Sequence, residues 1–324
     1  MKCLRRRSWR LGGIALLAGS LVGGCGSPPR PSRSGTGENL THSGVFSNRY
    51  GPALVKEGRY SAHSELRPWS GYWYPLSRID ARSALQKYDQ VTGRQALAWE
   101  ESRLTQALDR FNPWEGRCDA WAFASILRPE PRVPQVVQSN ATEVVFSVAE
   151  QKALWIFAHE RIDARDRWVV GERNDGDGSS SFDDLAPSEF HRILQVLLEQ
   201  EHRPFVMDRD PRPPVWNTPV YGANWEVKPR PGSEGIFDVS VWVQAVFPYD
   251  EDIESTERIA PVLHYQYELF TVSTSEGALV LDGKWTGASR RDHPDFVTVL
   301  SDSALGPRGS TNPEIDLQWL ETHL

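Results

Sequence analysis

Cysteine is scarce in this chain. Three occur among 324 residues, at positions 3, 25 and 118, too few for a disulfide-built scaffold. Basic charge is in deficit, with 36 Lys+Arg against 43 Asp+Glu and a net charge of −7. Such a surface argues against a nucleic-acid partner. The apolar run at residues 11–22 is too short to cross a bilayer as a permanent helix. No His/Cys spacing matches a zinc site. Against these shortages stand 13 Trp and 23 Pro, a large supply of rigid side chains for a core or for a groove that takes sugars or extended peptides.

The N-terminal residues have the form of an export leader. Lys2, Arg5, Arg6, Arg7 and Arg10 make a basic start before the apolar run, and Val22-Gly23-Gly24-Cys25 has the small residues and cysteine of a bacterial lipobox. The expected mature chain therefore begins at a lipid-bearing Cys25, more acidic than the whole because those five cations leave with residues 1–24. Gly26 in place of an aspartate suggests, by likeness to Gram-negative lipoproteins, delivery to the outer membrane of the cell envelope. Residues 25–44 are rich in Ser, Gly and Pro and read as a flexible tether. Residues 45–324 then form the folded domain.

Within that domain, helical spacing predicts helices near 80–88, 94–111 and 119–127. Ser147-Val148-Ala149-Glu150 has the pattern of a capping box opening another, and Pro187 opens a fifth, striped by Phe190, Leu194 and Leu198. Beyond Pro204 the period changes. Residues 205–207, 215–216, 237–247, 262–273 and 278–285 read as strands, the last two joined by a hairpin turn at Glu276-Gly277. Helices followed by an antiparallel sheet make an α+β fold.

Cys118 follows Gly116 and opens the helix predicted at 119–127. A thiol attacks as thiolate, and a helix N-terminus lowers a thiol pKa through its unpaired N–H groups. The same groups suit an oxyanion in acyl transfer. The alternative is a buried cysteine acting as a small apolar filler.

Trp69-Ser70-Gly71-Tyr72-Trp73-Tyr74-Pro75-Leu76, Lys87-Tyr88-Asp89, Trp99-Glu100 and Trp114-Glu115-Gly116-Arg117-Cys118-Asp119-Ala120-Trp121-Ala122 resemble the transglutaminase elicitor family, in order. Phe190-His191, Phe205-Val206-Met207-Asp208, Val215-Trp216-Asn217-Thr218-Pro219-Val220 and Pro294-Asp295-Phe296 continue the likeness. Arg117 and Asp119 stand where the family's usual pattern has a His and a small or polar residue. The resemblance implies a papain- or transglutaminase-like core and a cysteine acyltransferase: Cys118 attacks a protein or peptide glutamine, ammonia leaves, and an amine takes the acyl group. It also implies a base and a group to orient it. His191 is the candidate base and Asp208 its orienter, with Asn217 the alternative orienter and His293 the alternative base. A surface histidine at a helix start is the plainer reading of His191.

Calcium is the one cofactor the resemblance raises. Asp175-Gly176-Asp177-Gly178-Ser179 offers Asp175 and Asp177 as weak candidate ligands, but an EF-hand loop from Asp175 needs Gly at 180 and Glu at 186, which are Ser180 and Ala186. Two other functions stay open. One is a thiol hydrolase of peptidoglycan peptides; the other is a binding lipoprotein for peptide or glycan whose chemistry has lapsed, a reading that Arg117 and Asp119 favour.

Overall fold

The computed structural model describes residues 45–107, 111–139, 142–161, 167–173, 185–209, 211–212, 214–300 and 309–324, all within one compact unit, Gly37–Leu324. The export leader, Cys25, the tether, Asp175 and Asp177 lie outside the described residues. Among those described, no helix is long and apolar enough to cross a membrane.

The chain opens with α1 (Val45–Tyr50), β1 (Leu54–Val55) and β2 (Gly58–His63). Helices α2 (Arg82–Thr92), α3 (Ala96–Ala107) and α4 (Cys118–Leu127) follow, then the hairpin β3 (Gln135–Ser139) and β4 (Thr142–Phe146). Next come α5 (Val148–Ala158), β5 (Arg167–Gly171) and α6 (Pro187–Ile193), which runs on in π-helical turns to Gln200. The rest is β6 (Phe205–Asp208), β7 (Asn217–Pro229), β8 (Ile236–Ala245), β9 (Val262–Ser273), β10 (Ala278–Trp285), β11 (Phe296–Leu300) and the closing helix α7 (Leu317–His323).

Local chemistry sets several boundaries. Ser147 accepts from the Glu150 amide while the Glu150 side chain takes the Ser147 N–H, the expected capping box. Gly93 ends α2 at φ +70°, where a glycine costs least. In α4 the alanines and large apolar residues leave almost every side chain from Ala120 to Ile126 buried, so the helix is wrapped on all sides.

The strands from β6 onward join an antiparallel sheet of order β1-β10-β9-β8-β7-β6-β11-β5. The 13-residue β7 is its spine: one edge pairs with β8, while the other is shared between β6 at Asn217–Val220 and β2 at Gly222–Val227. The two faces of the sheet carry separate cores. Val206 packs with α4 and α5 in one, while its neighbours Phe205 and Met207 pack with α6 in the other. By strand alternation Asp208 lies on the α4 face.

The α+β expectation holds, with one correction to the order of elements. β1 and β2 come before α2, and β5 lies between α5 and α6, yet all three join the main sheet. The short strand expected at 215–216 is instead β7, starting at Asn217. A register shift between Val220 and Gly222 breaks the period-2 pattern along it, and Pro219, Asn224 and Pro229 weaken the strand signal further.

Candidate active site

Two blocks distant in sequence build the loop that presents Cys118. Pro75 bridges Gly116, the Leu76 amide donates to the Glu115 carbonyl at 2.9 Å, and the Arg117 amide donates to the Trp73 carbonyl at 2.6 Å. The aromatic segment 69–76 is thus the bed on which the loop before α4 lies. A Cβ on Gly116 would stand 2.9 Å from the Trp73 carbonyl oxygen, so only glycine lets the two backbones approach this closely.

Cys118 is the first residue of α4, and α4 packs on β7 and β6. Its partly buried thiol donates to the Val215 carbonyl at 3.8 Å and lies 3.5 Å from Nδ2 of Asn217. Asn217 is the cross-strand neighbour of Asp208, so the two side chains share a face. Asp208 Oδ1 accepts from the Trp216 amide at 3.0 Å. Trp73 and Trp216 meet edge-to-face at 6.2 Å, and the Arg209 guanidinium lies over Trp216 and Phe247. The thiol therefore sits beside an amide, near two carboxylates, with aromatic walls close by.

The thiol is not activated at rest. Burial, then the Asp119 carboxylate and, to a lesser degree, that of Asp208, push it up to about 11, against the opposing N–H groups of Asn217. The expected lowering by the helix start is overridden. A helix end contributes roughly 0.3–1 kcal/mol to a nearby charge, less than one pKa unit at about 1.4 kcal/mol.

His191 is not brought to this site. It sits on α6, on the opposite face of the sheet, 1% exposed, with Nδ1 2.7 Å from the Tyr267 hydroxyl and its ring against Trp225. Its Nε2 has no hydrogen-bond partner, and burial, with Arg192 adding to it, lowers its pKa to about 3. The apolar stripe of α6 carries His191 inward rather than to a cleft edge, because α6 is covered both by the sheet and by α1. The surface-histidine reading fails for the same reason. His293 is also buried, stacked on Trp285 at 5.1 Å with Nδ1 2.8 Å from the Ser289 carbonyl; Trp285 belongs to the α6-side core. Of the residues singled out in sequence, then, Cys118, Asn217 and Asp208 converge.

Sequence reasoning passed over Arg117 as a buried group. Its side chain pairs with Glu100 and Glu160 and lies over the Phe157 ring. Glu100 belongs to the Trp99-Glu100 block, which was the available signal. Among the described residues, no cluster of three or more His, Cys, Asp or Glu is arranged to hold a metal ion.

The site is thus a helix-borne thiol packed against an antiparallel sheet, with an amide and a carboxylate from adjacent strands. Residues 109–230 match the transglutaminase elicitor family, a span that holds Cys118, His191, Asp208 and Asn217 but neither the 69–76 segment nor His293. The crystal structure of the GP42 transglutaminase from Phytophthora sojae is similar over 87% of this chain and 97% of its own, with a TM-score of 0.65 and 17% identity. At that identity the likeness shows the fold. No curated protein matches the chain.

Proposed function

We propose that this protein is a thiol-dependent acyltransferase held at the cell envelope by a lipid on Cys25. The observation that carries the chemistry is the approach of Asn217 and the Asp208 strand to a lone thiol at a helix start. In the first step Sγ of Cys118 bonds to the carboxamide carbon of a glutamine donor. The thiol proton passes by way of the Asp208 carboxylate to the departing ammonia. An amine then attacks the thioester, and its proton returns to Sγ. Asp208, across the strand pair from the Asn217 that reaches Sγ, is the carboxylate we assign as general base, taking the thiol proton as the S–C bond forms. Asn217 Nδ2 and the helix-start amides are the donors available to the developing oxyanion.

The test is transfer of a labelled amine to a glutamine peptide. Cys118→Ala should abolish it with the fold intact; transfer that persists in that variant sinks the proposal. A second reading, a binding lipoprotein whose chemistry has lapsed, is favoured by the protonated resting thiol. The two part on one measurement. Glutamine peptide without an amine acceptor should release ammonia and leave an acyl group on Cys118, read as a mass increase, in an enzyme, and do neither in a binder.

The anchor rests on Val22-Gly23-Gly24-Cys25. Cys25→Ser should move the protein from the membrane pellet to the soluble fraction. Retention in the pellet would refute lipid attachment there.

A further inference from the structure

We infer that Arg117 is a positioning residue for Cys118, and that its seat is completed by the C-terminal segment. The inference rests on the acyltransferase reading for its kinetic consequence but not for its geometry. Arg117 is the N-cap residue of α4, and everything about it is held. Its amide donates to Trp73, its carbonyl accepts from the Trp121 amide at 2.9 Å, and its side chain is 3% exposed. The guanidinium reaches Glu100 of α3 at 2.9 Å and Glu160 just past α5, above the Phe157 ring at 4.0 Å.

Both carboxylates are held in turn. Glu100 accepts from Arg103 at 2.9 Å and from the Asn312 carboxamide at 3.3 Å. Glu160 accepts from the Thr311 amide at 3.1 Å and from the Thr311 hydroxyl. Two cations thus face two anions in a mostly dry site, and residues 311–312 lie against the group that starts the nucleophile helix. A buried pair of this kind is a poor source of stability but a strong geometric constraint, since removing one member leaves an uncompensated charge. The planar, forked guanidinium holds a carboxylate of α3 and one from the segment after α5 at once. Arg117 is matched to Glu100 and Glu160. The constraint acts one residue from Sγ, where an error of about 1 Å would separate the thiol from Asn217.

Arg117→Lys, Arg117→Met and Glu160→Gln in the full chain test this. Ser147→Ala serves as a control that weakens the fold by about 1 kcal/mol at a remote cap. Well below each variant's Tm, Arg117→Met and Glu160→Gln should alkylate Cys118 several-fold faster than wild type, while Ser147→Ala matches wild type. With a glutamine peptide, kcat should fall on the order of 10²-fold, the scale of a 1 Å misplacement, with KM little changed, and Arg117→Lys should recover part of it. If Arg117→Met does not fold, Glu160→Gln, which keeps shape and loses one charge, carries the test. An unchanged alkylation rate in folded Glu160→Gln overturns the inference. Alkylation needs no acyl donor, so this result is independent of whether the chain transfers acyl groups.

Discussion

Asn217 aims its side-chain nitrogen at the Cys118 sulfur from 3.5 Å, and Asp208 stands directly across the strand pair from Asn217. The two neighbours act on the thiol with opposite sign. The amide stabilises the thiolate; the carboxylate disfavours it. From a resting value of about 11, Asn217→Ala should raise the thiol pKa and Asp208→Asn should lower it. The pH profile of Cys118 alkylation reads both. Asp208→Asn nevertheless should cost acyl transfer on the order of 10²-fold or more, because the base for attack is gone. A variant that becomes more acidic yet slower separates a proton-accepting role from a merely electrostatic one. If Asp208→Asn leaves both the profile and the rate unchanged, Asp208 has no part in the chemistry.

The closeness of Gly116 to Trp73 yields a prediction about both stability and function. A methyl group at position 116 would sit 2.7 Å from Trp73 Cζ3 and 2.9 Å from the Trp73 carbonyl. The ring could turn aside, but the carbonyl receives the Arg117 amide and cannot. Gly116→Ala should therefore destabilise by roughly 1–3 kcal/mol, the usual cost of overpacking, and Trp73→Ala in the same chain should restore only part of it. Denaturant midpoints for the single and double variants check this. Full restoration by Trp73→Ala would mean that the ring alone forbids the larger residue.

How much of this was legible in the sequence depended on whether a signal was local. Cys118 at a helix start and the Ser147–Glu150 box are local, and both stand as read. Asp208 and Asn217 were visible as separate candidates, but their pairing across β6 and β7 depends on a register that no local pattern reveals. His191 shows the converse. Its helix was read correctly, yet one apolar stripe cannot say which face of a sheet it will meet. The sheet here has two buried faces, and His191 went to the one opposite Cys118. The thiol's resting state turns mainly on burial, which neighbours in sequence do not reveal, and only then on the adjacent Asp119 and the distant Asp208, which together outweigh the helix end.

The buried imidazole of His191 should reveal itself through the pH dependence of stability. In the folded protein its pKa is lowered to about 3, from an ordinary 6.5. Because the folded value is depressed, the stabilisation is fully present above pH 6.5, where both states hold the ring neutral. As pH falls below 6.5 the unfolded chain takes up a proton that the folded core refuses, and stability declines until about pH 3. The slope approaches about 1.4 kcal/mol per pH unit within that window. Carboxylates titrate in its lower part, so the informative quantity is the difference between wild type and His191→Gln, which keeps a polar partner within reach of the Tyr267 hydroxyl. The variant should lack this one-proton slope between pH 6.5 and 5, measured by urea unfolding at intervals. It should also retain Cys118 alkylation at the wild-type rate, since the sheet separates the two residues. A slope identical in both proteins would mean that the imidazole is reached by solvent, and a changed alkylation rate would reopen its connection to the thiol.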